Sequence, residues 1–371
     1  MIELLKSNQI ALISAVIIIA VAVYYILKGH KIKTEKHKIA LYLKGINYII
    51  EDKTDKAIEE LTNAIELEPD LVDVYISIGN LFRKKGEINR ALIIHKGLLA
   101  RKLDREKEIE VYVDIGIDYK KAGLYDRAKE TFKNALSFDP KNQVIKKLLE
   151  EVYEDSKDWE SALEWQKRFG ENKKITAHIY CELGKKALKE SSNNNFQTAY
   201  EFFSQALNED KNCFDAMLNL GILHYNNQNK KKAFQLWLDA IKVKNEFFNL
   251  VLDNIKDKND LHYFIKQVLV YNPRSYYILY FSALYLLKLE KDKKALSVLR
   301  IMLNNNYYPQ NVVKLSIKCL AKQSSDKRFE LLASKLQNNV KYTCKACGYS
   351  THLFFWKCPK CRSWDSAKLE L

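Results

Sequence analysis

Residues 45–69 read GINYIIEDKTDKAIEELTNAIELEP, and residues 116–140 read GIDYKKAGLYDRAKETFKNALSFDP. Superposed, they match in residue type at Gly45 and Gly116, Tyr48 and Tyr119, Ala57 and Ala128, Leu61 and Phe132, Ala64 and Ala135, and Pro69 and Pro140. Between them Gly79, Phe82, Ala91, His95 and Leu98 keep the same offsets, starting 34 residues after Gly45. Weaker copies run through Tyr153, Ala162 and Gln166, through Gly221, His224, Ala233, Trp237 and Ala240, and through Ala283, Leu286, Ala295, Leu299 and Met302. Another copy, at Gly184, Ala199, Phe203 and Ala206, is stretched by a Ser- and Asn-rich insertion, Ser191 to Asn195.

A fixed period of this length marks a stack of small structural units. Gly or Ala recurs where two antiparallel helices must approach closely, and a bulky residue fills the space beside that crossing. Pro ends the second helix because it cannot continue the hydrogen-bond ladder. One such hairpin leaves an apolar face uncovered, so copies stack. The pattern resembles the tetratricopeptide repeat and predicts an all-α superhelical array over residues 29–338. The repeat-defining residues are expected in the core. His95 holds a slot that elsewhere takes a large apolar group, and it is expected as a packed, hydrogen-bonded histidine rather than a ligand. The concave face, lined by each first helix, is the expected docking surface. Asn80, Arg83, Lys84, Ile117, Lys120 and Lys121 should point there; ordinary solvated surface is the competing reading.

Beyond the array, residues 342–364 read YTCKACGYSTHLFFWKCPKCRSW. Cys344 and Cys347 form one C-x2-C pair, and Cys358 and Cys361 the second. Each pair makes a turn that aims two sulfurs at one point. Gly348 suits the positive φ that such a turn needs, and Pro359 pre-sets the second turn. Four thiolates suit a tetrahedral metal ion in a closed, structural shell. Zinc and iron both fit this donor set, and with iron the module resembles rubredoxin. His352 is a possible substitute ligand, but four Cys complete the shell. So small a module, residues 339–371, cannot sustain a core of its own and depends on its metal. Leu353, Phe354, Phe355, Trp356 and Trp364 are expected to dock it on the last helical repeats. Cys181, Cys213 and Cys319 read as buried helix residues.

At the other end, Ser7 to Leu27 carries no charge. A helix of that length spans roughly 30 Å, the thickness of a bilayer core. The charges follow the apolar run, at Lys28, Lys31, Lys33, Lys36 and Lys38, whereas a cleaved signal would carry them before it. Residues 1–28 are therefore expected as a retained single-span anchor. The positive-inside rule places the rest of the chain in the cytoplasm. The 371 residues carry a net charge of +15, with the lysines dispersed apart from that run. Seven Cys, four of them in the final cluster, do not form a secreted disulfide framework. No phosphate-binding, dinucleotide-binding, zinc-protease or nucleophile-elbow motif is present, and no enzyme is expected.

Taken together, one span, a helical array and a terminal knuckle resemble the lipopolysaccharide assembly protein B (LapB) family of Gram-negative bacteria. The stretches GNLFRKKGEINRALIIHKGLL (79–99), AGLYDRA (122–128), AHIYCEL (177–183) and the final CxxCG and WxCPxCRxW carry the likeness. The resemblance implies an inner-membrane adaptor, facing the cytoplasm, that brings the deacetylase LpxC to the membrane protease FtsH and supports other envelope proteins of lipopolysaccharide assembly. It implies a zinc or iron ion on Cys344, Cys347, Cys358 and Cys361, and it leaves a homo-oligomer open. An iron-binding redox partner and a zinc-ribbon nucleic-acid binder are the alternatives. Against the latter, the ribbon is only modestly basic, with Lys345, Lys357, Lys360 and Arg362.

Overall fold

The computed structural model describes residues 23–24, 28, 39–68, 70–170, 172–190, 195–305, 309–324, 327–335 and 340–370. The expected membrane span lies outside these, apart from Val23, Tyr24 and Lys28, which are helical. Among the described residues no helix is long and apolar enough to cross a membrane.

The chain forms two compact units, Met1–Asp158 and Trp159–Leu371. In the first, helix α1 (39–50) is followed by α2 (Thr54–Leu67), α3 (Val72–Lys84), α4 (Ile88–Leu99), α5 (Arg105–Lys121), α6 (Tyr125–Phe138) and α7 (Gln143–Asp155). The pairs are the repeats read in the sequence. At the α3–α4 crossing, a Cβ on Gly79 would sit 2.2 Å from the His95 ring, so no other residue fits. Ala57, Leu61, Ala64, Ala91, Ala128, Phe132 and Ala135 are all fully buried along the second helices. Side-chain caps set the starts of α5 and α7: Asp104 accepts the Lys107 N–H at 2.8 Å, and Asn142 accepts those of Val144 and Ile145.

The first helix of most repeats ends in the same way, a feature the sequence hides. Seven residues after each crossing position the backbone turns left-handed, at Asp52, Gly86, Gly123, Lys157, Gln228 and Glu290, with φ between 57° and 82°. The next N–H then reaches back to the third carbonyl of the repeat. Glu87 donates to Phe82, Leu124 to Tyr119 and Lys291 to Leu286, each at 2.9 Å. This is the Schellman closure of a helix end. Only two of the six residues are Gly; the others accept the roughly 1–2 kcal/mol cost of αL backbone.

The second unit opens with α8 (Trp159–Phe169), α9 (Lys173–Ala187), α10 (Asn195–Glu209), α11 (Phe214–Asn226) and α12 (Lys230–Val243). The insertion at 191–194 lies outside the described residues. A 3-10 turn (Asn245–Phe247) and the short α13 (Phe248–Leu252) then precede α14 (Lys258–Tyr271). These form a repeat whose first helix is cut to one turn, and the sequence pattern does not reveal it. The unit continues through α15 (Tyr276–Lys288), α16 (Asp292–Asn304), α17 (Gln310–Ser324) and α18 (Lys327–Lys335). One continuous core runs from Phe214 through Trp237, Phe264 and Leu299 and ends in Tyr342, Ala367 and Leu369 of the cysteine module.

Candidate metal centre

Three short strands frame the cysteines: β1 (Lys341–Cys344), β2 (Ser350–Thr351) and β3 (Ala367–Glu370), in the order β2-β1-β3. Both pairings are antiparallel, with Tyr342 opposite Thr351 and Cys344 opposite Ala367. The two knuckles repeat one geometry. The Gly348 N–H donates to the Cys344 carbonyl, and the Arg362 N–H to the Cys358 carbonyl, both at 2.9 Å. Both residues have positive φ, 71° at Gly348 and 64° at Arg362. Gly348 is thus the turn residue expected, and Arg362 takes the same role against its side chain's preference.

The four sulfurs of Cys344, Cys347, Cys358 and Cys361 lie within 4.8 Å of one another. The Cys344–Cys361 separation is 3.6 Å and the Cys347–Cys358 separation 3.7 Å. Disulfides require about 2.05 Å. A tetrahedron of sulfurs at about 2.3 Å from a central ion has edges of about 3.8 Å. The donor set therefore fits a tetrahedral metal ion, and these four residues would hold it. The ion would supply a fixed cross-link and charge balance for the thiolates. His352 is outside the shell, its Nδ1 2.8 Å from the Val340 carbonyl.

Local electrostatics favour the bound form. Burial resists ionisation of Cys344, but the Ser366 hydroxyl and the backbone N–H groups of Cys347 and Ala346 outweigh it and bring the thiol down to about 6. At Cys347 the Tyr349 N–H favours the thiolate. Desolvation and the three neighbouring sulfurs prevail, and the thiol rises to about 11. The Ser363 hydroxyl and N–H also lower the Cys361 thiol, so thiolates are favoured at two of the four, and gathering more at one point calls for a cation.

The module docks through aromatic and ionic contacts that begin further back in the chain than the last repeats. His178 on α9 stacks on Trp364, with ring centroids 4.8 Å apart and planes at 15°. Its Nε2 lies 2.9 Å from Asp365, and its Nδ1 faces Asp215 at 3.8 Å. Lys244 holds the other oxygen of Asp365 at 2.8 Å, and Lys185 bridges Asp215 at 2.7 Å beneath the Trp356 ring. Phe354 and Trp356 pack on Phe247, and the Asn249 amide donates to Tyr342. The truncated repeat therefore makes room for the module and supplies part of its seat. Leu353, counted among the docking residues from sequence, is instead 78% exposed. Cys181, Cys213 and Cys319 are buried as expected, with Cys213 at the start of α11 and its sulfur 3.8 Å from that of Cys181.

Charge at this seam is expected to make docking pH-dependent. Burial opposes protonation of His178, but Asp215 and Asp365 outweigh it and lift the imidazole from 6.5 to about 10. Burial also opposes ionisation of Asp365, yet His178 and Lys244 hold its carboxyl well below its usual range. A raised histidine contributes fully below 6.5 and loses its contribution as pH rises toward 10; the depressed Asp365 contributes above about 4 and fails in acid. Thermal stability of the second unit is expected to fall between pH 6.5 and 10. His178→Gln should flatten that decline, and an unchanged slope in that variant counts against the ion pair.

The residues expected on the docking face sit on α3 and α5, several of them engaged between repeats. Arg83 reaches Asp114 at 2.7 Å and Asp118 at 2.9 Å, and it also donates to the Asn80 amide oxygen. Lys84 bridges Asp52, and Lys120 bridges Glu151 and Asp155. Ile117 is half-buried, and Lys121 is exposed. His95 is fully buried, its Nδ1 2.6 Å from Asp118, as a packed and hydrogen-bonded residue should be.

Comparison with known proteins follows this geometry. The family described as rubredoxin metal binding domain matches residues 342–368. The tetratricopeptide repeat family matches residues 39–71 and 109–142. The chain is similar to lipopolysaccharide assembly protein B of Escherichia coli (strain K12), with 23% identity over 353 residues, covering 88% of each chain. The protein of that name from Haemophilus influenzae is also 23% identical, again over 88% of each chain. Among solved structures, the chain is similar to YrrB, a TPR protein with an unusual peptide-binding site (23% identity, TM-score 0.33, 52% of this chain and 96% of that one). It is also similar to part of a TPR repeat-containing protein from Cytophaga hutchinsonii (13% identity, TM-score 0.42, 64% of this chain and 98% of that one).

Proposed function

We propose that this chain is an adaptor of lipopolysaccharide assembly, held in the inner membrane by residues 1–28 with its bulk in the cytoplasm. What carries the reading is a single observation: the likeness to lipopolysaccharide assembly protein B runs over 88% of both chains. In this reading the chain makes and breaks no bond. It brings the deacetylase LpxC to the protease FtsH, and holding both on one scaffold raises their effective concentration, commonly to about the millimolar range. Zinc or iron on the four cysteines acts structurally. Asn80, Arg83, Lys84, Lys120 and Lys121 belong to the docking face, with Lys84 and Lys121 meeting a partner and Arg83 holding adjacent helices in place.

A chain lacking residues 1–28 tests this. It is expected to be soluble and folded, with LpxC long-lived in cells that carry only the truncation, and crosslinking in membranes should capture LpxC and FtsH with the full chain alone. Normal LpxC turnover with the truncated chain overturns the membrane-adaptor reading.

A further inference from the structure

We propose that the groove between α14 and α16 docks an acidic peptide segment of a partner protein, one that inserts apolar side chains between flanking carboxylates. The groove encloses about 350 Å³. Ile265, Leu269 and Val270 of α14, Leu286 of α15 and Val298 of α16 line it. Large apolar groups stay in water around it: Val270 is 78% exposed, and Tyr263 and Tyr271 are more than half exposed. Such a patch beside a ready groove is the usual mark of an interaction surface.

No carboxylate is among the residues that line the groove. His262 and Lys266 rise from α14, Lys294 from α16, and Lys291 just precedes α16. Among the described residues none of these three lysines pairs with a carboxylate. Other lysines of the same unit do find carboxylates, as Lys185 finds Asp215 and Lys230 finds Asp260. Lys294 instead points at His262, with Nζ 3.0 Å from Nε2. An ammonium donates there only to a neutral imidazole, which then carries its proton on Nδ1. That nitrogen is buried and has no hydrogen-bond partner. Burial and the charges of Lys291, Lys294 and Lys266 all hold the imidazole below its ordinary range. Cations that line a groove with no carboxylate in its walls are complemented by the carboxylates of a partner.

The spacing fits a peptide. His262 and Lys266 lie one helical turn apart on the α14 wall and Lys294 on the α16 wall, where it meets His262. A partner helix with an apolar stripe flanked by Glu or Asp presents the complementary order. An anionic lipid offers the same charge, but the trough is open along its length and leaves one side of an acyl chain in water. This inference deepens the adaptor reading and rests on it.

The test uses full-length protein and a fluorescent amphipathic peptide of Glu and Leu, about 14 residues or four helical turns long. A Lys-for-Glu counterpart and phosphatidylglycerol vesicles serve as further probes. The acidic peptide is expected to bind, more weakly as salt rises. Lys266→Glu with Lys294→Glu should weaken it at least about tenfold, while Lys211→Glu with Lys231→Glu, an equal charge change elsewhere, leaves it within about twofold. Circular dichroism checks that both variants fold. Equal binding by the groove variant, or binding of the Lys peptide as tightly, overturns the site. Vesicle binding lost in the groove variant, with no peptide binding by the parent, overturns the partner class. Neither result touches the adaptor reading, which fails instead by normal LpxC turnover with the truncated chain.

Discussion

Replacing Cys344 with Ser, or stripping the ion with a chelator, is expected to release the whole cysteine module from the helices. The module has little core of its own. Its buried apolar residues, Tyr342, Ala367 and Leu369, belong to the core of the second unit, and Phe354 and Trp356 pack on Phe247. Its sheet has strands of four, two and four residues. Structural zinc commonly contributes about 10–16 kcal/mol to small modules, as much as the whole stability of a typical domain, about 5–15 kcal/mol. Three thiolates left around a lost fourth ligand bind far less well. Trp356 and Trp364 should then enter water, seen as a red shift in fluorescence, while Phe214 and Phe247 become available to a hydrophobic dye. The melting transition of the second unit should move down by many degrees while that of the first stays. Regulation should fail with the array still helical. A Cys344→Ser protein that loses its metal but keeps its melting profile and its protease resistance at residues 340–370 would remove the metal from the argument.

The legibility of this chain follows from which contacts are local. The repeat crossings were readable because a close approach admits only Gly or Ala: at Gly221 a Cβ would meet the Trp237 ring at 2.1 Å. The ligands were readable because two turns of fixed spacing must carry them. Three features were not. The left-handed closure of the first helices is set by backbone hydrogen bonds, and Lys157, Gln228 and Glu290 adopt it without any Gly to signal it. The shortened repeat around Phe248 gives up its crossing position to receive the module, so the pattern vanishes where function enters. His178 lies within a stretch that resembles the lipopolysaccharide assembly protein B family, yet its partners Asp365 and Asp215 are distant in the chain. No local pattern links them.

His95 shows the same limit in energetic form, and it yields the sharpest expectation for the first unit. Repeat chemistry says that His95→Leu restores the residue type found at Leu61 and Leu299. The structure says otherwise. Asp118 is fully buried, with one oxygen 2.6 Å from His95 and the other 2.9 Å from Arg83. Leu at 95 strands the first of these oxygens, a cost of about 1–3 kcal/mol that the apolar gain offsets only in part. Asp118→Ala goes further, because it leaves the half-buried Arg83 guanidinium with Asp114 and Asn80 and His95 with the Ile76 carbonyl at 3.4 Å. Removing one member of a buried charged network typically costs about 3–5 kcal/mol, a large share of the stability of a small helical unit. The double variant His95→Leu with Asp118→Leu deletes both buried polar groups and should recover much of that loss. Its destabilisation is expected to be smaller than the sum of the single effects, with a coupling of about 1–3 kcal/mol in urea titrations of the full chain. Strict additivity would mean that the two side chains do not hold each other in solution. A His95→Leu protein more stable than the parent would mean that the repeat pattern alone, and not the bridge from α3 to α5, sets the stability of this stack.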